Sequence, residues 1–265
     1  MRVLVACEES QKVCTEFRKL GHEAYSCDIQ EPSGGHPEWH INEDVLPLLN
    51  GNCTFHTMDG VEHTIDNKWD MLISFPPCTH LAVSGAIHFE KKRTDGRQRE
   101  AIEFFCKFMQ ADCDRILIEN PRNIISGGEY LKTHFPDLCE KYGIPRKESQ
   151  TIQPWMFGDP HCKTTCLWLK GLPNLVPEIT EEPETEWVEY VSHKTGKKKR
   201  MQKWFYDAFM EHHDNNEDRS RARSKTFDGI ARAIARQYSD FCSLSEEDQK
   251  KQLIGSAVVA QKKLF

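Results

Sequence analysis

The stretch RVLVACEESQKVCTEFRKLGHEAYSCD, residues 2–28, decides the fold class. Its apolar run at 3–7 predicts a buried strand, and Ser10 is placed to cap a helix over 11–20 that Gly21 would end. A second apolar run then ends at Asp28. A strand, a helix and a second strand within about thirty residues, followed by an acid, are typical of the nucleotide-binding half of a doubly wound α/β sheet.

The turn after the first strand departs from the dinucleotide-binding pattern. Residues 7–10 read CEES where a Gly-rich turn would stand, and the carboxylates of Glu8 and Glu9 would repel a pyrophosphate. A cofactor without phosphate, with a sulfonium cation and an amino acid tail, suits such a turn better. Taken alone, the segment favours an ordinary strand-turn-helix that binds no cofactor.

Two further apolar runs end in reactive side chains. Residues 71–78 read MLISFPPC, so Cys78 follows a buried strand after two prolines that fix φ and donate no hydrogen bond. Residues 115–121 read RILIENP and place Glu119 at the end of another strand. Because ligands of open α/β sheets bind at the carboxyl ends of the strands, we expect this thiol and carboxylate to form a reactive pair. A single cysteine is otherwise usually a small buried apolar side chain.

Length and composition fit one sizeable α/β domain, or one domain with a small inserted module. The chain has 265 residues, eleven cysteines and a formal net charge of −6. No export signal precedes Arg2 and no stretch is as long as a membrane span, so we expect free thiols in a reducing compartment. The sequence contains no Cys-x-x-Cys pair, and its short spacings predict no metal site.

Charge is unevenly distributed along the chain. Basic residues concentrate at 194–203 and 219–225, whereas the segment 178–189 is acidic. A basic run is by default a solvated face, but two runs beside one short module favour a polyanion as partner. Alternation in residues 187–191 and 201–205 predicts a β-hairpin with a basic turn at 194–197.

The remaining pattern predicts how the chain is organised. We expect a mobile loop at 79–99, helices at 99–110, 127–142 and 229–238, and a loosely attached amphipathic tail at 244–265. The predicted division is a catalytic, cofactor-binding domain at 1–171, a small target-recognition region at 172–218, and a C-terminal helix with its tail at 219–265.

The order of these motifs resembles that of DNA (cytosine-5) methyltransferases, in a compact form like those that bacteriophages carry. The family's Pro-Cys motif, with a serine downstream, is similar to FPPC at 75–78 followed by Ser84. Its Glu-Asn-Val motif resembles ENP at 119–121, and its Gly-x-Pro-Gln-x-Arg-x-Arg motif resembles GDPHCKTT at 158–165. Gly229 matches the glycine before the family's last helix. The resemblance covers nearly the whole predicted catalytic core.

The chain departs from the family pattern at several places. The first glycine motif is replaced by ACEES at 6–10, and Pro121 stands in place of a valine. Lys163 and Thr165 stand where the family has two arginines. The recognition region is also shorter than is usual for the family. These departures concern the cofactor turn and the grip on the target base.

The resemblance implies a Rossmann-like sheet that binds S-adenosylmethionine, with a small inserted β-hairpin region that recognises double-stranded DNA. Cys78 is implied as the nucleophile, Glu119 as the acid that hydrogen-bonds the base, and Lys163 as a further catalytic residue. Two acids that bind the cofactor's ribose and adenine in the family are matched by Asp28 and Asp44. The implied cofactor-binding residues are Ala6, Cys7, Glu8, Glu9, Ser10, Asp28, Ile29, Asp44, Val45, Phe75, Pro76 and Gly229. The implied DNA-binding residues are His80, Ser84, Lys194, Lys197, Lys198, Lys199, Arg200 and Arg221.

The implied reaction begins on a cytosine flipped out of the duplex. The Cys78 thiolate adds to carbon 6 and makes carbon 5 nucleophilic toward the methyl group of S-adenosylmethionine. Two alternatives stay open: an enzyme acting on another pyrimidine or a free nucleotide, and a degenerate relative that binds DNA without turnover. We expect a monomer in bacterial or phage-infected cytoplasm, serving restriction-modification, self-protection or an orphan role.

Overall fold

The computed structural model describes residues 1–191, 196–211 and 226–262 of the chain. The strands of its central sheet are β1 Arg2–Ala6, β2 Glu23–Cys27, β3 His40–Ile41, β6 Met71–Ser74, β7 Ile116–Pro121, β8 Gln150–Ile152 and β9 Thr165–Lys170. Two hairpins lie outside this sheet, formed by β4 Cys53–His56 with β5 Glu62–Ile65 and by β10 Trp187–Val191 with β11 Lys198–Gln202. The central sheet has seven strands in the order β3-β2-β1-β6-β7-β9-β8.

The chain changes direction across the sheet at β1. It runs outwards from β1 through β2 to β3 and then returns to β6 on the other side of β1, with parallel pairing throughout. β7 extends the parallel part beside β6, and β9 runs antiparallel between β7 and β8. This is a doubly wound arrangement, whose ligand crevice lies at the carboxyl ends of the strands beside β1. The predicted Rossmann-like α/β fold class is confirmed.

Helices cover both faces of the sheet. One face carries α1 Lys12–Lys19 and α7 Asp228–Ser243, whose Phe17 and Ile234 share an apolar core with Val5. The opposite face carries α3 Arg97–Gln110, whose Phe105 shares a second core with Leu72. The other described helices are α2 Phe89–Thr94, α4 Glu129–His134, α5 Pro136–Tyr142, α6 Lys203–Glu211 and α8 Glu246–Lys262. Cover on both faces explains why the parallel strands are nearly continuous apolar runs.

The segment predicted to be a mobile loop, residues 79–99, is mostly helical. A 3₁₀ turn over Val83–His88 leads into α2, and α3 begins at Arg97, slightly before the predicted start. In α2 the side chains of Phe89 and Lys92, three residues apart, are buried on one face of the helix. The loop prediction was wrong because the charged cluster around Lys92 concealed this helical spacing.

Three other segments differ from their predictions. The helix expected over 127–142 is divided into α4 and α5, because Pro136 has no N–H and its ring clashes with the preceding turn. The second strand of the basic hairpin is Lys198–Gln202 rather than 201–205, and α6 begins at Lys203. The hairpin of β4 and β5 was not predicted, since only Phe55 and Ile65 of its strand residues are buried.

The start of α7 packs closely on the turn that precedes β9. A Cβ atom on Gly229 would lie 1.9 Å from the Phe157 carbonyl oxygen, so only glycine fits there. The Gly229 N–H also donates to the Asp159 carboxylate (2.8 Å). Helix packing therefore accounts for this glycine, which the resemblance assigned to cofactor binding.

The C-terminal helix α8 is attached to the domain rather than being a loose tail. The Arg115 guanidinium donates to the Gln249 side chain (3.3 Å), and the Asn174 N–H donates to the Ser256 hydroxyl (3.3 Å). Leu253 packs against the core formed by α1 and α7. These contacts hold α8 beside the sheet.

The three-part division of the chain stays a prediction. Leu172 and Leu175, at the start of the predicted recognition region, are buried in the core that α1 and α7 cover. All eleven cysteines are free thiols, as predicted. Among the described residues, no helix has both the length and the apolarity that a membrane span requires.

Candidate active site

A left-handed turn opens the crevice at the carboxyl end of β1. Ala6 is buried at the end of the strand, and Cys7 follows with φ of 58°, which side chains bearing a Cβ rarely adopt. The backbone thus adopts a conformation typical of glycine, although this position holds a cysteine. The pKa of the Cys7 thiol is raised mainly by burial. The acidic groups of Asp28, Cys27 and Asp44 raise it further. Three of the predicted cofactor-binding residues, Cys7, Asp28 and Asp44, therefore lie near one another.

Glu8 occupies the N-terminus of α1. Its carboxylate accepts hydrogen bonds from the Val13 N–H (2.6 Å) and the Cys14 N–H (3.2 Å). Ser10 is not the cap that the sequence predicted, because Gln11 holds the N-cap position without a side-chain bond to the helix. The donors that bind phosphate in dinucleotide folds are filled here by the protein's own carboxylate. This end of α1 therefore excludes a pyrophosphate.

Glu8 is expected to lower the stability of the protein as the pH rises. Burial raises the pKa of its carboxyl from 4.5 to about 8, although the two N–H donors lower it. A raised folded-state pKa stabilises the protein below the unfolded pKa, and that contribution is lost as the pH rises through the folded pKa. At about 1.36 kcal/mol per pKa unit, the loss between about pH 5 and pH 8 is on the order of 3 kcal/mol.

Urea unfolding of the wild type and Glu8→Gln across that pH range measures the effect. Glutamine keeps the volume and one acceptor oxygen but cannot ionise, so its free energy of unfolding should fall less steeply with pH. Glu16→Gln, a partly exposed residue on α1, is the matched control and should follow the wild-type slope. Equal slopes for the wild type and Glu8→Gln would contradict the prediction.

Asp28 and Ile29 line the crevice at the end of β2. The Asp28 carboxylate is half-buried and accepts from the Gln30 N–H (2.9 Å), and burial raises its pKa. Ile29 is 79 % exposed, so an apolar side chain faces solvent beside a carboxylate. Asp44 is exposed and accepts from the Leu46 N–H (3.0 Å). An exposed apolar contact beside two acceptors suits an adenosine, which offers a ring face, hydroxyls and an amino group.

The other predicted cofactor residues lie around the same strand ends. Glu9 and Val45 are buried, Ser10 is half-buried, and Pro76 is buried. The half-buried Phe75 donates its N–H to the Ala6 carbonyl (3.0 Å), which joins the end of β6 to the end of β1. No cluster of three or more His, Cys, Asp and Glu side chains suited to a metal occurs within residues 1–191, 196–211 and 226–262.

The loop that carries Cys78 is fastened to the strand that carries Glu119. The side-chain amide of buried Asn120 donates to the Pro76 carbonyl (2.7 Å). The Asn120 oxygen in turn accepts from the side-chain amide of Asn123 (2.8 Å). Buried amides in a satisfied network fix one geometry, because an unpaired partner would be costly. The geometry of the Cys78 loop is therefore set by the residue that follows Glu119.

Backbone pairing holds the same two segments together beyond the sheet. β6 and β7 are parallel neighbours, so Cys78 and Glu119 belong to the same edge. Past the cysteine, two backbone hydrogen bonds of 3.1 and 3.2 Å join residues 81–83 to residues 122–124. Cys78 and Glu119 are both half-buried.

Lys163 brings a positive charge toward the Glu119 carboxyl. It lies in the loop before β9, and Leu167 of β9 pairs with Glu119 across the sheet. Burial raises the pKa of Glu119, and the positive charge of Lys163 opposes that rise. The Lys163 ammonium also lies 5.6 Å from the centroid of the Phe227 ring. The structure thus brings two of the predicted catalytic residues, Glu119 and Lys163, into electrostatic contact.

Sequence reasoning missed two polar contributions to this site. The ENP motif was identified from the sequence. The hydrogen bond from its Asn120 side chain to the neighbouring loop that carries Cys78 was not predicted. Lys92 falls in the segment that was predicted to be a mobile loop, whereas it is only 9 % exposed and its ammonium donates to the Thr79 carbonyl (2.5 Å). Its helical spacing from Phe89 was the signal that could have placed it inside.

The predicted DNA-binding residues fall in two separate places. Half-buried His80 and exposed Ser84 follow Cys78. Four exposed cations lie on the hairpin: Lys197, Lys198, Lys199 and Arg200. The last three belong to β11 rather than to the turn, and the Arg200 guanidinium lies 4.6 Å from the centroid of the Trp187 ring. Lys194 and Arg221 lie outside the described residues.

Comparisons with known proteins give likeness in structure and none in sequence. No protein-family model and no curated protein matches the chain. Among solved structures, the chain is similar to a protein described as a DNA modification methyltransferase encoded within a prophage (E. coli). The two share 13 % sequence identity with a TM-score of 0.39. The likeness covers 79 % of this chain and spans 64 % of the length of the other.

Proposed function

We propose that this chain is an S-adenosylmethionine-dependent DNA methyltransferase that modifies carbon 5 of cytosine. The observation that carries the proposal is the hydrogen bond from the Asn120 amide to the Pro76 carbonyl, which fastens the loop of Cys78 to the strand of Glu119. It supports a thiol and a carboxyl acting on one ring at the edge where doubly wound sheets bind their ligands. The resemblance of FPPC and ENP to the family's motifs supports the same pair.

The crevice beside β1 is the proposed cofactor site. S-adenosylmethionine supplies an electrophilic methyl group when bound. Asp28 holds the ribose hydroxyls, Ile29 contacts the adenine face, and Asp44 accepts from the adenine amino group. Glu8 closes the α1 N-terminus to phosphate. The carboxylates around Cys7 favour a cationic ligand over an anionic one.

The chain's own residues then activate the base. The Cys78 thiolate adds to carbon 6 of the extruded cytosine, forming a sulfur–carbon bond and shifting electron density toward carbon 5. Burial raises the pKa of Glu119, and in its protonated form the carboxyl donates a hydrogen bond to ring nitrogen 3 as the thiolate adds. After carbon 5 is methylated, a base removes its proton. The sulfur–carbon bond then breaks, and Cys78 leaves as a thiolate.

The basic hairpin is the proposed DNA contact. On one of its faces, Glu189 is opposite Arg200 and Val191 is opposite Lys198 in the β10–β11 register. Lys199 is on the other face but is also exposed. Cations of this kind neutralise phosphates, which positions a protein on the duplex without specifying a sequence.

Removing two hairpin charges is expected to weaken DNA binding and its salt dependence. Replacing Lys198 and Lys199 together with alanine should lower the slope of log affinity against log salt by about 2, since each phosphate contact contributes about 0.9. Affinity should fall similarly for all sequences. Fluorescence anisotropy at several salt concentrations measures both quantities.

Two exposed lysines elsewhere provide the matched control. Lys19 ends α1 and Lys107 lies near the end of α3, and both helices run back from the crevice edge toward the opposite edge of the sheet. Alanine at both positions removes the same charge and should leave the salt slope as in the wild type. An unchanged slope in the hairpin variant would argue against this hairpin as the DNA contact.

Methylation of DNA by the purified chain tests the proposed function. The protein is incubated with unmethylated duplex DNA and tritiated S-adenosylmethionine, and the nucleosides are analysed by mass spectrometry. The expected product is 5-methylcytosine. If another pyrimidine carries the methyl group, cytosine is not the target and the proposed specificity is wrong. Binding of cofactor and DNA without transfer would overturn the proposal in favour of a degenerate relative.

A further inference from the structure

Lys92 is a buried cation beside the nucleophile loop. Its side chain is 9 % exposed, whereas Lys91, its neighbour in α2, is exposed. Lysine is almost never buried unless it is paired, because removing an ammonium from water is costly. The position of Lys92 therefore requires compensating groups inside the protein.

The Lys92 ammonium lies against the segment that begins at Cys78. It donates to the carbonyl of Thr79, the next residue, at 2.5 Å. The Cys78 carbonyl accepts from the Leu81 and Ala82 N–H groups (3.0 and 2.9 Å), so the loop turns back around the cysteine. A Cβ atom on Gly85 would lie 3.3 Å from the ammonium. The loop thus closes around the charged end of Lys92.

The charges around Lys92 come from two elements packed against α2. Burial is the largest cause that lowers the pKa of Lys92, and the positive charge of Arg97 at the start of α3 lowers it further. Cys78 raises it and contributes more than Asp95 does, and the Asp95 carboxylate is itself bonded to Arg97. His80, from the nucleophile loop, is half-buried, and burial and then Lys92 lower its pKa. Cys78 is therefore the acidic group that most favours the charged form of Lys92.

We propose that the Lys92 ammonium is the positive charge that favours the thiolate form of Cys78. Electrostatic coupling is reciprocal, so a thiolate that stabilises the ammonium is stabilised by it to the same extent. An ordinary cysteine titrates near 8.5, so a neutral-pH nucleophile needs such a partner. Lys92 acts on the thiol and is a positioning residue. The inference rests on Cys78 being the nucleophile of the proposed reaction.

Alkylation of Cys78 across pH tests the inference without measuring methyl transfer. The full chain is treated with iodoacetamide, and mass spectrometry follows the Cys78 peptide alone among the eleven cysteines. In the wild type the rate is expected to reach half its maximum below the ordinary cysteine value. In Lys92→Met that midpoint should rise by about one pH unit, with a roughly tenfold slower rate at neutral pH.

Lys91→Met removes an exposed charge from the same helix and should leave the midpoint unchanged. If Lys92 only supported the loop, Lys92→Met would change the alkylation rate equally at every pH and would not move the midpoint, which overturns the proposal. If Lys92→Met does not fold, the alkylation midpoint of Cys78 in the wild type tests the proposal instead. A midpoint equal to that of the same peptide in the urea-unfolded chain overturns the proposal, and a lower one supports it. These outcomes hold whether or not the chain methylates DNA.

Discussion

Cys78→Ala is expected to reduce methyl transfer to DNA by at least about 10⁴-fold while the protein still binds S-adenosylmethionine. Removal of a covalent nucleophile eliminates the step that depends on it, and the remaining groups supply only binding and orientation. The cofactor site proposed beside β1 contains no atom of Cys78. Single-turnover transfer of a tritiated methyl group measures the first quantity, and calorimetry with the cofactor measures the second.

Cys139→Ala is the matched control for this prediction. Cys139 is a half-buried free thiol on α5, so its replacement removes a comparable sulfur from a different part of the chain. Transfer by that variant should stay within about twofold of the wild type, since a partly exposed position away from special features changes stability little. Activity retained by Cys78→Ala would eliminate the covalent mechanism.

The sheet could be predicted from the sequence because its strands are continuous apolar runs that end in polar residues. Residues 2–6, 71–74 and 116–119 needed only their pattern, since strands covered on both faces leave no alternation to interpret. The fold rule also predicts that Cys78 and Glu119 lie at the same edge, because both follow the carboxyl ends of strands. Local pattern and tertiary position agree for these strands.

The contacts that fix the site could not be predicted in the same way. Asn120 reaches Pro76 across forty-four positions of sequence, and nothing local to either residue indicates the bond. Lys92 was misplaced because a charged residue is expected outside, and only packing against the Cys78 loop reverses that expectation. Cys7 shows the opposite case, since the fold kept a left-handed turn without its glycine. Tertiary contacts decided each of these positions.

Glu119→Gln is expected to lower the rate of methyl transfer by about 10²- to 10³-fold and to change its pH dependence. Burial raises the pKa of Glu119, so its carboxyl keeps a proton to higher pH than an ordinary glutamate. The wild-type rate should fall on the alkaline side as this proton is lost, because the ionised carboxylate can no longer donate to the base. Glutamine cannot ionise, so the variant should lack that alkaline fall. Single-turnover rates across pH, at saturating DNA, separate this from binding.

Lys163→Met tests the same carboxyl from its neighbour. The Lys163 charge opposes the rise in the pKa of Glu119, so removing it should move the alkaline fall to higher pH. Glu103→Gln removes a partly exposed carboxylate on α3 and should leave the profile unchanged. An alkaline fall that persists in Glu119→Gln would assign it to another group. If Lys163→Met leaves the pH profile unchanged, the Lys163 charge does not influence the ionisation of Glu119. Glu119 would then act independently of Lys163.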